Sequence, residues 1–173
     1  MLHGEDMRLA LLLLFTGCGI ADFDITQPVP EQEVQGSPLP GPLATLFPVP
    51  LNLDLSSQIK ARDTGPIDSV TLTSLDLAIT PTDEPTGDSD DWSFVTSIDV
   101  FVASSKSGTT LQKVKIAHAS SPGPVKTFSF ELESVNLKPY IDEGSVVDAE
   151  SSGTAPADNV SYDGEGVFTV HPL

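Results

Sequence analysis

The residues best suited to bind a metal ion lie close together in one acidic segment. Residues 83–91 contain five carboxylates, and Asp83, Asp88, Asp90 and Asp91 are the candidate ligands. Calcium binds several carboxylate and carbonyl oxygens from a flexible loop, and this segment could supply them. The spacing differs from that of an EF-hand loop, because no glutamate follows at the proper distance. We therefore weigh a calcium site against an ordinary solvated loop between strands, and the sequence favours the solvated loop.

Two histidines, His118 and His171, are the candidate bases for nucleophilic catalysis beyond residue 17. Such a base needs an activated serine or cysteine beside it and a third group that orients it. The chain has no Gly-x-Ser-x-Gly motif and no glycine-rich phosphate-binding loop. We therefore interpret both histidines as structural or surface residues and predict no catalytic residues. A hydrolase with an unrecognised site stays open as an alternative.

The N-terminal segment indicates export from the cytoplasm. Residues 9–15 form an unbroken apolar run, which ends in small residues directly before Cys18, the only cysteine. This layout is typical of a secretory signal peptide, and the run is far shorter than the roughly 20 apolar residues of a transmembrane helix. The sequence Phe15-Thr16-Gly17-Cys18 resembles the lipobox of bacterial lipoproteins. The resemblance implies that residues 1–17 are removed and that Cys18 carries fatty acids such as palmitate on its sulfur and amine.

The same resemblance implies a location in the bacterial cell envelope. Gly19 follows the cysteine, and a residue other than aspartate at this place implies the outer membrane. The net charge is −17, and removal of residues 1–17 changes it only to −16. So acidic a surface repels nucleic-acid phosphates and anionic membrane surfaces. We therefore expect no nucleic-acid partner, and we expect attachment to the membrane through the lipid on Cys18.

Prolines divide the exported part of the chain. Seven of them lie between Pro28 and Pro50, and proline is excluded from helix interiors and central strands. We predict that residues 18–50 form a lipid-anchored tether and connector, with a first edge strand at 22–26 as an open alternative. The apolar residues within 43–49 are interpreted as a plug for the end of the domain rather than an exposed patch.

Beyond Pro50, apolar and polar residues alternate with a period of two almost everywhere. This pattern, with turn-rich clusters between the runs, predicts an all-β domain at 51–173. We expect an antiparallel β-sandwich, immunoglobulin-like in the loose sense, with about seven to nine strands. The predicted core positions are Leu53, Leu55, Val70, Leu72, Leu77, Ile98, Val100, Val102, Val114, Ile116, Phe128, Phe130, Leu132, Phe168 and Val170.

Three local features modify this pattern. The apolar parity changes between Leu72 and Leu75, which predicts a bulge at Thr73-Ser74. Residues 137–144 break the alternation and predict one helical turn that Gly144 closes. Asp163-Gly164 predicts a turn between two short strands.

Function is the least determined property, since sandwich folds have many functions. The absence of a recognisable catalytic set favours a non-catalytic envelope lipoprotein that acts as a binding or structural module for an unknown envelope protein. A calcium-dependent adhesion module that uses residues 83–91 is the first alternative, and the hydrolase is the second. Because Cys18 is the only cysteine, disulfides and multi-cysteine zinc sites are excluded, and we predict no cofactor other than calcium.

Overall fold

The computed structural model describes residues 21–39, 41–43, 47–82 and 90–173. Within them lie two antiparallel sheets of four strands, ordered β1-β8-β2-β5 and β6-β4-β3-β7. The elements are β1 (Phe23–Val34), α1 (Ser56–Ala61), β2 (Ile67–Thr80), β3 (Val95–Ser104), β4 (Val114–Ser120), β5 (Thr127–Ser129), β6 (Glu131–Leu132), α2 (Lys138–Glu143), β7 (Ser145–Gly153) and β8 (Val160–Pro172). Neither helix of this part of the chain is long or apolar enough to cross a bilayer.

The two sheets enclose one hydrophobic core, as an alternating pattern requires. Val70 and Leu72 from one sheet and Ile98 and Val100 from the other are buried, while their neighbours along each strand face outwards. The predicted all-β sandwich is therefore confirmed. The predicted core residues are buried except for three that are half-buried and still pack against the core: Val114, Phe128 and Leu132.

The packed domain begins at Phe23, well before residue 51, where the alternating pattern places its start. β1 pairs with β8 along its length, from Phe23 opposite Val170 to Val34 opposite Val160. Its position at the edge of the sheet explains how it accommodates two prolines, since a proline cannot donate to a strand ladder. The strand left open at 22–26 is therefore present and considerably longer.

The chain after β1 also belongs to the domain rather than to a tether. Phe47, Val49, Leu51, Leu53 and Leu55 are buried in alternation, although residues 47–55 form no strand. Phe47 stacks on Tyr162 with ring centroids 4.6 Å apart, and the Tyr162 hydroxyl donates to the Pro48 carbonyl oxygen at 2.6 Å.

The plug predicted within 43–49 is confirmed in its described part. Leu43, Phe47 and Val49 are all buried there, so their apolar surface faces the core rather than solvent. Residues 44–46 of that segment lie outside the described residues.

The turn predicted at Asp163-Gly164 is wrong, because β8 continues through both residues. Gly164 lies in the middle of the sheet, opposite Val29 of β1 and Leu77 of β2. A Cβ atom at this position would overlap the backbone carbonyl oxygen of Asp76. The glycine therefore permits close approach of two strands, which is the other role that glycine has within a sheet.

The bulge and the helical turn are confirmed. The pairing of β2 with β8 shifts between Leu72 and Ser74, which explains the change of apolar parity. α2 has Pro139 in its first turn and Gly144 as its C-cap, where a φ of 84° lies in the left-handed region that favours glycine. The short helix α1 was not predicted from the sequence.

The two ends of the sandwich differ in structure. The helical end, as we call it, consists of α1, α2 and the starts of β1 and β2, where Phe23 lies opposite Val170 and Ile67 opposite Pro172. The loop end consists of the end of β1, the turn at 121–124 and residues 154–159. The end of β2 and the start of β3 also lie at this loop end, because Thr80 lies opposite Ser161 and Val95 opposite Gly153.

Candidate functional site

The residues predicted to carry function are only partly described. Cys18, Asp83 and Asp88 lie outside the described residues, whereas Asp90 and Asp91 lie a few residues before β3, which begins at Val95. Asp91 Oδ1 accepts a hydrogen bond from the backbone N–H of Ser93 at 2.8 Å. Hydrogen bonds from the hydroxyl and the backbone N–H of Ser93 hold the pKa of Asp91 below its ordinary value.

Asp90 and Asp91 line a cavity of about 220 Å³ at the loop end, together with Asp158 and the apolar residues Phe94 and Val160. The described residues contain no group of three or more histidine, cysteine or acidic side chains placed to hold a metal ion. A third carboxylate, Asp158, therefore lines the same cavity as Asp90 and Asp91. The sequence could not reveal this, because Asp158 is far away along the chain.

A second polar group occupies the outer face of the sheet β6-β4-β3-β7. His118 on β4 lies directly opposite Asp99 on β3, and its Nδ1 is 2.7 Å from Asp99 Oδ1. Its Nε2 is 2.6 Å from the hydroxyl oxygen of Ser120, which is two residues further along β4 and so on the same face. This is the connectivity of a Ser–His–Asp triad: nucleophile to base, and base to an orienting carboxylate.

The tautomer that satisfies both contacts has its proton on His118 Nδ1, which then donates to Asp99, while Nε2 accepts from the Ser120 hydroxyl. Lys115 Nζ approaches the same Asp99 oxygen at 3.1 Å. Partial burial acts to raise the pKa of Asp99, but the hydrogen bonds from His118 and Lys115 outweigh it and lower the pKa. Asp99 therefore stays ionised and orients the imidazole.

The hydrogen bonds of Ser120 are those of a triad, but its surroundings are poorly suited to catalysis. His118 and Asp99 have side chains that are 28% and 29% exposed on an open sheet face, and Ser120 is exposed. The backbone N–H of Ser121, the residue after the candidate nucleophile, donates to the Thr96 carbonyl at 2.8 Å. In hydrolases with a nucleophile elbow, the corresponding N–H stabilises the oxyanion. Here that donor is already engaged.

The sequence alone does not reveal this cluster, because Asp99 comes from a different strand. One signal was available: His118-Ala119-Ser120 lies in an alternating run, so the histidine and the serine must share a face. His171, the other candidate base, instead pairs through Nδ1 with Asp22 Oδ2 at 2.9 Å and lies 3.4 Å from the Thr71 hydroxyl.

The polar face continues across the sheet towards β7. Lys113 Nζ lies 2.9 Å from Asp148 and 3.1 Å from Glu150, and it lies 4.4 Å from the centre of the Phe101 ring. Hydrogen bonds to Asp148 and Glu150 raise the pKa of Lys113. The outer face is therefore an ordered array of paired charges and hydroxyls rather than a set of independent side chains.

No model of a protein family and no curated protein matches this chain. Among solved structures, a chain of Desmodium yellow mottle tymovirus is similar at 17% identity, with 100% of this chain and 94% of that chain covered and a TM-score of 0.23. A TM-score this low carries no argument about fold or function.

Proposed function

We propose that this chain is a non-catalytic lipoprotein of the bacterial cell envelope, a binding or structural module attached through lipid on Cys18. The observation that carries the proposal is the start of β1 at Phe23. Only residues 19–22 separate the lipobox-like cysteine from the folded domain. The Cα atoms of Cys18 and Phe23 are therefore at most about 18 Å apart. An acylated Cys18 would therefore hold the sandwich against the membrane surface.

This arrangement orients the domain. β1 begins at the helical end, so that end would face the membrane and the loop end would project away from it. Asp90 and Asp91 lie at the projecting end, where their negative charge avoids anionic lipids. The loop end and the polar outer face are then the surfaces that remain accessible to an envelope protein.

Metabolic labelling with a clickable palmitate analogue tests the anchor. The wild-type protein should incorporate the label and sediment with membranes, and the outer-membrane fraction should contain most of it. Cys18→Ser should lose the label and be released. Thr16→Ser is the matched control, because it changes a small residue of the lipobox-like motif to another small residue. A Cys18→Ser variant that keeps both the label and the membrane association would contradict the proposal.

The partner is tested by photo-crosslinking in the native host. A crosslinking amino acid at Ala157, at the loop end, should trap an envelope protein. The same amino acid at Ser57 of α1 should not trap that protein. Capture of the same protein from both positions, or from neither, would contradict a binding role for the loop end.

A second candidate function is ester hydrolysis, and the Asp99–His118–Ser120 chain is the observation that favours it. In such a reaction the Ser120 hydroxyl oxygen attacks the ester carbonyl carbon while its proton passes to His118 Nε2. The leaving alkoxide takes up that proton, and the acyl group stays on the Ser120 oxygen. Water then attacks this ester with the same proton transfers through His118, which releases the acid and restores Ser120. The occupied N–H of Ser121 argues against efficient catalysis, and for this reason the non-catalytic function ranks first.

Labelling with a fluorophosphonate separates the two candidates. A hydrolase would be labelled at Ser120, and the label would disappear in Ser120→Ala and in His118→Gln. Ser152→Ala is the control, because Ser152 bonds to Ser97 at 2.7 Å on the same face. We expect no labelling of the wild-type protein, and His118-dependent labelling would make hydrolysis the leading function.

A calcium-dependent adhesion module is the third candidate. Asp90, Asp91 and Asp158 line one cavity at the loop end, although the described residues contain no group of three side chains placed to hold a metal ion. Calcium there would bridge the projecting end to a partner.

A further inference from the structure

The helical end contains a groove between α1 and α2. Its volume is about 230 Å³, and its apolar lining comes from Ile59, Ile67, Val70 and Ile141. Lys60 and Lys138 also line it. The groove thus combines a hydrophobic floor with two cations, and it opens at the end of the sandwich where β1 begins.

Two cations at this end, Lys60 and Arg62, differ from the lysines of the sheet face in the pairing of their charges. Lys106, Lys113 and Lys115 each form an ion pair with a carboxylate. Among the described residues, Lys60 and Arg62 form no ion pair, and both are exposed. Arg62 lies instead over the ring of Phe23, 5.2 Å from its centre. In a chain with 25 acidic and eight basic residues, two unpaired cations on one end are unexpected.

The carboxylates nearby limit what this end can bind. Asp142 pairs with Lys138, and Asp63 and Asp68 are exposed close to α1. The end is therefore mixed in charge, so general attraction to an anionic surface is weak. Contact with individual phosphate groups, each within reach of one lysine or arginine, fits this arrangement better.

We propose that the helical end is a membrane-contacting surface, where Lys60 and Arg62 bind phospholipid phosphates and the α1–α2 groove receives the apolar part of a lipid. The inference rests on the proposed anchoring at Cys18. Because β1 begins at this end, only four residues after Cys18, the anchor would keep the groove at headgroup depth. Lysine and arginine stems can lie along apolar surface while their charged heads reach the phosphates.

An environment-sensitive fluorophore at the helical end tests this. The lipoprotein is purified and reconstituted in vesicles of phosphatidylethanolamine and phosphatidylglycerol, with the fluorophore on Ser57→Cys of α1 or, as the matched control, on Ala157→Cys at the loop end. Emission at position 57 should shift to the blue and be quenched by spin-labelled headgroups. Emission at position 157 should be unchanged.

Charge removal identifies the groups that make the contact. In docked protein the helical end contacts the vesicle, as the fluorophore at position 57 reports. Lys60→Gln combined with Arg62→Gln should lower the ratio of docked to undocked protein by more than about tenfold, because each cation contributes separately to the free energy of membrane binding. Lys113→Gln combined with Lys115→Gln removes two cations from the sheet face and should leave the ratio unchanged.

The two proposals fail in different ways. If the protein with Cys18 intact does not stay with the vesicles, the anchoring proposal is wrong, and this inference is wrong with it. If the protein stays with the vesicles but positions 57 and 157 respond alike, only the contact at the helical end is wrong. The same holds if the double glutamine variant at residues 60 and 62 docks as the wild type does.

Discussion

At the scale of single residues, Gly164 shows how one missing Cβ atom permits strand packing. Its position between β1 and β2 leaves no room for a side chain, because the backbone of Asp76 occupies that space. We expect Gly164→Ala to lower the free energy of unfolding by about 2–4 kcal/mol, since backbone atoms must move to relieve the overlap. Urea denaturation measures this change.

Gly41→Ala is the control for Gly164→Ala. A Cβ atom at Gly41 would meet only the Leu39 carbonyl oxygen, at 3.9 Å. That variant should differ from the wild type by less than about 0.5 kcal/mol, as surface substitutions generally do. Equal effects of the two alanines would show that Gly164 is not sterically required.

Tyr162 makes stability depend on pH at the alkaline end. Burial raises the pKa of its hydroxyl well above the ordinary value of 10.0. In the unfolded chain the hydroxyl ionises near pH 10, whereas in the folded chain it stays protonated. Unfolding therefore becomes more favourable as the pH rises above about 10, by up to 1.4 kcal/mol for each pH unit from this one group.

Tyr162→Phe tests this pH dependence. At neutral pH the variant should be less stable by about 1–3 kcal/mol, because the Pro48 carbonyl oxygen loses its donor. Above pH 10 the difference between the variant and the wild type should shrink. Urea denaturation at pH 7 and at several alkaline pH values measures both effects, and a difference that stays constant would contradict the role of burial.

At the scale of elements, the acidic segment between β2 and β3 is where the solvated loop and the calcium site predict different results. In a solvated loop, any salt weakens the repulsion between carboxylates, to an extent set by its ionic strength. We therefore expect sodium and calcium to raise the melting temperature equally at matched ionic strength. A metal site would instead add stability that grows with the logarithm of free calcium.

The variant for this test is Asp88→Asn combined with Asp90→Asn. Under the solvated-loop interpretation it should respond to both salts alike. A rise of several degrees that is specific to calcium and absent from this variant would make the adhesion module the leading function.

At the scale of the whole molecule, the domain depends on the residues before 51. β1 covers the edge of β8, and Phe47 and Val49 fill the core. A chain of residues 51–173 should therefore fail to fold cooperatively, because β8 would present an unpaired edge and the core would be open to water. A chain of residues 21–173 should show cooperative thermal unfolding with a β-rich circular dichroism spectrum. Cooperative unfolding of the shorter chain would contradict the extended domain.

The sequence by itself determined the fold class and much of its local detail. A period of two needs only the alternation of side chains along a strand, so the core residues could be read from it, as could the bulge beside Leu72. Gly144 likewise marked the end of α2 through its own backbone preference. These features depend only on residues that are close together along the chain, so the sequence is sufficient to predict them.

Only the tertiary structure decided which distant residues meet. The contact of Asp99 with His118 depends on the pairing of β3 with β4. Asp158 and Asp90 line one cavity because the loops that contain them meet at the same end of the sandwich. The same glycine chemistry that suggested a turn at Gly164 is used for close packing within a sheet. Local preference allows both outcomes there, and the energy of packing between strands selects one of them.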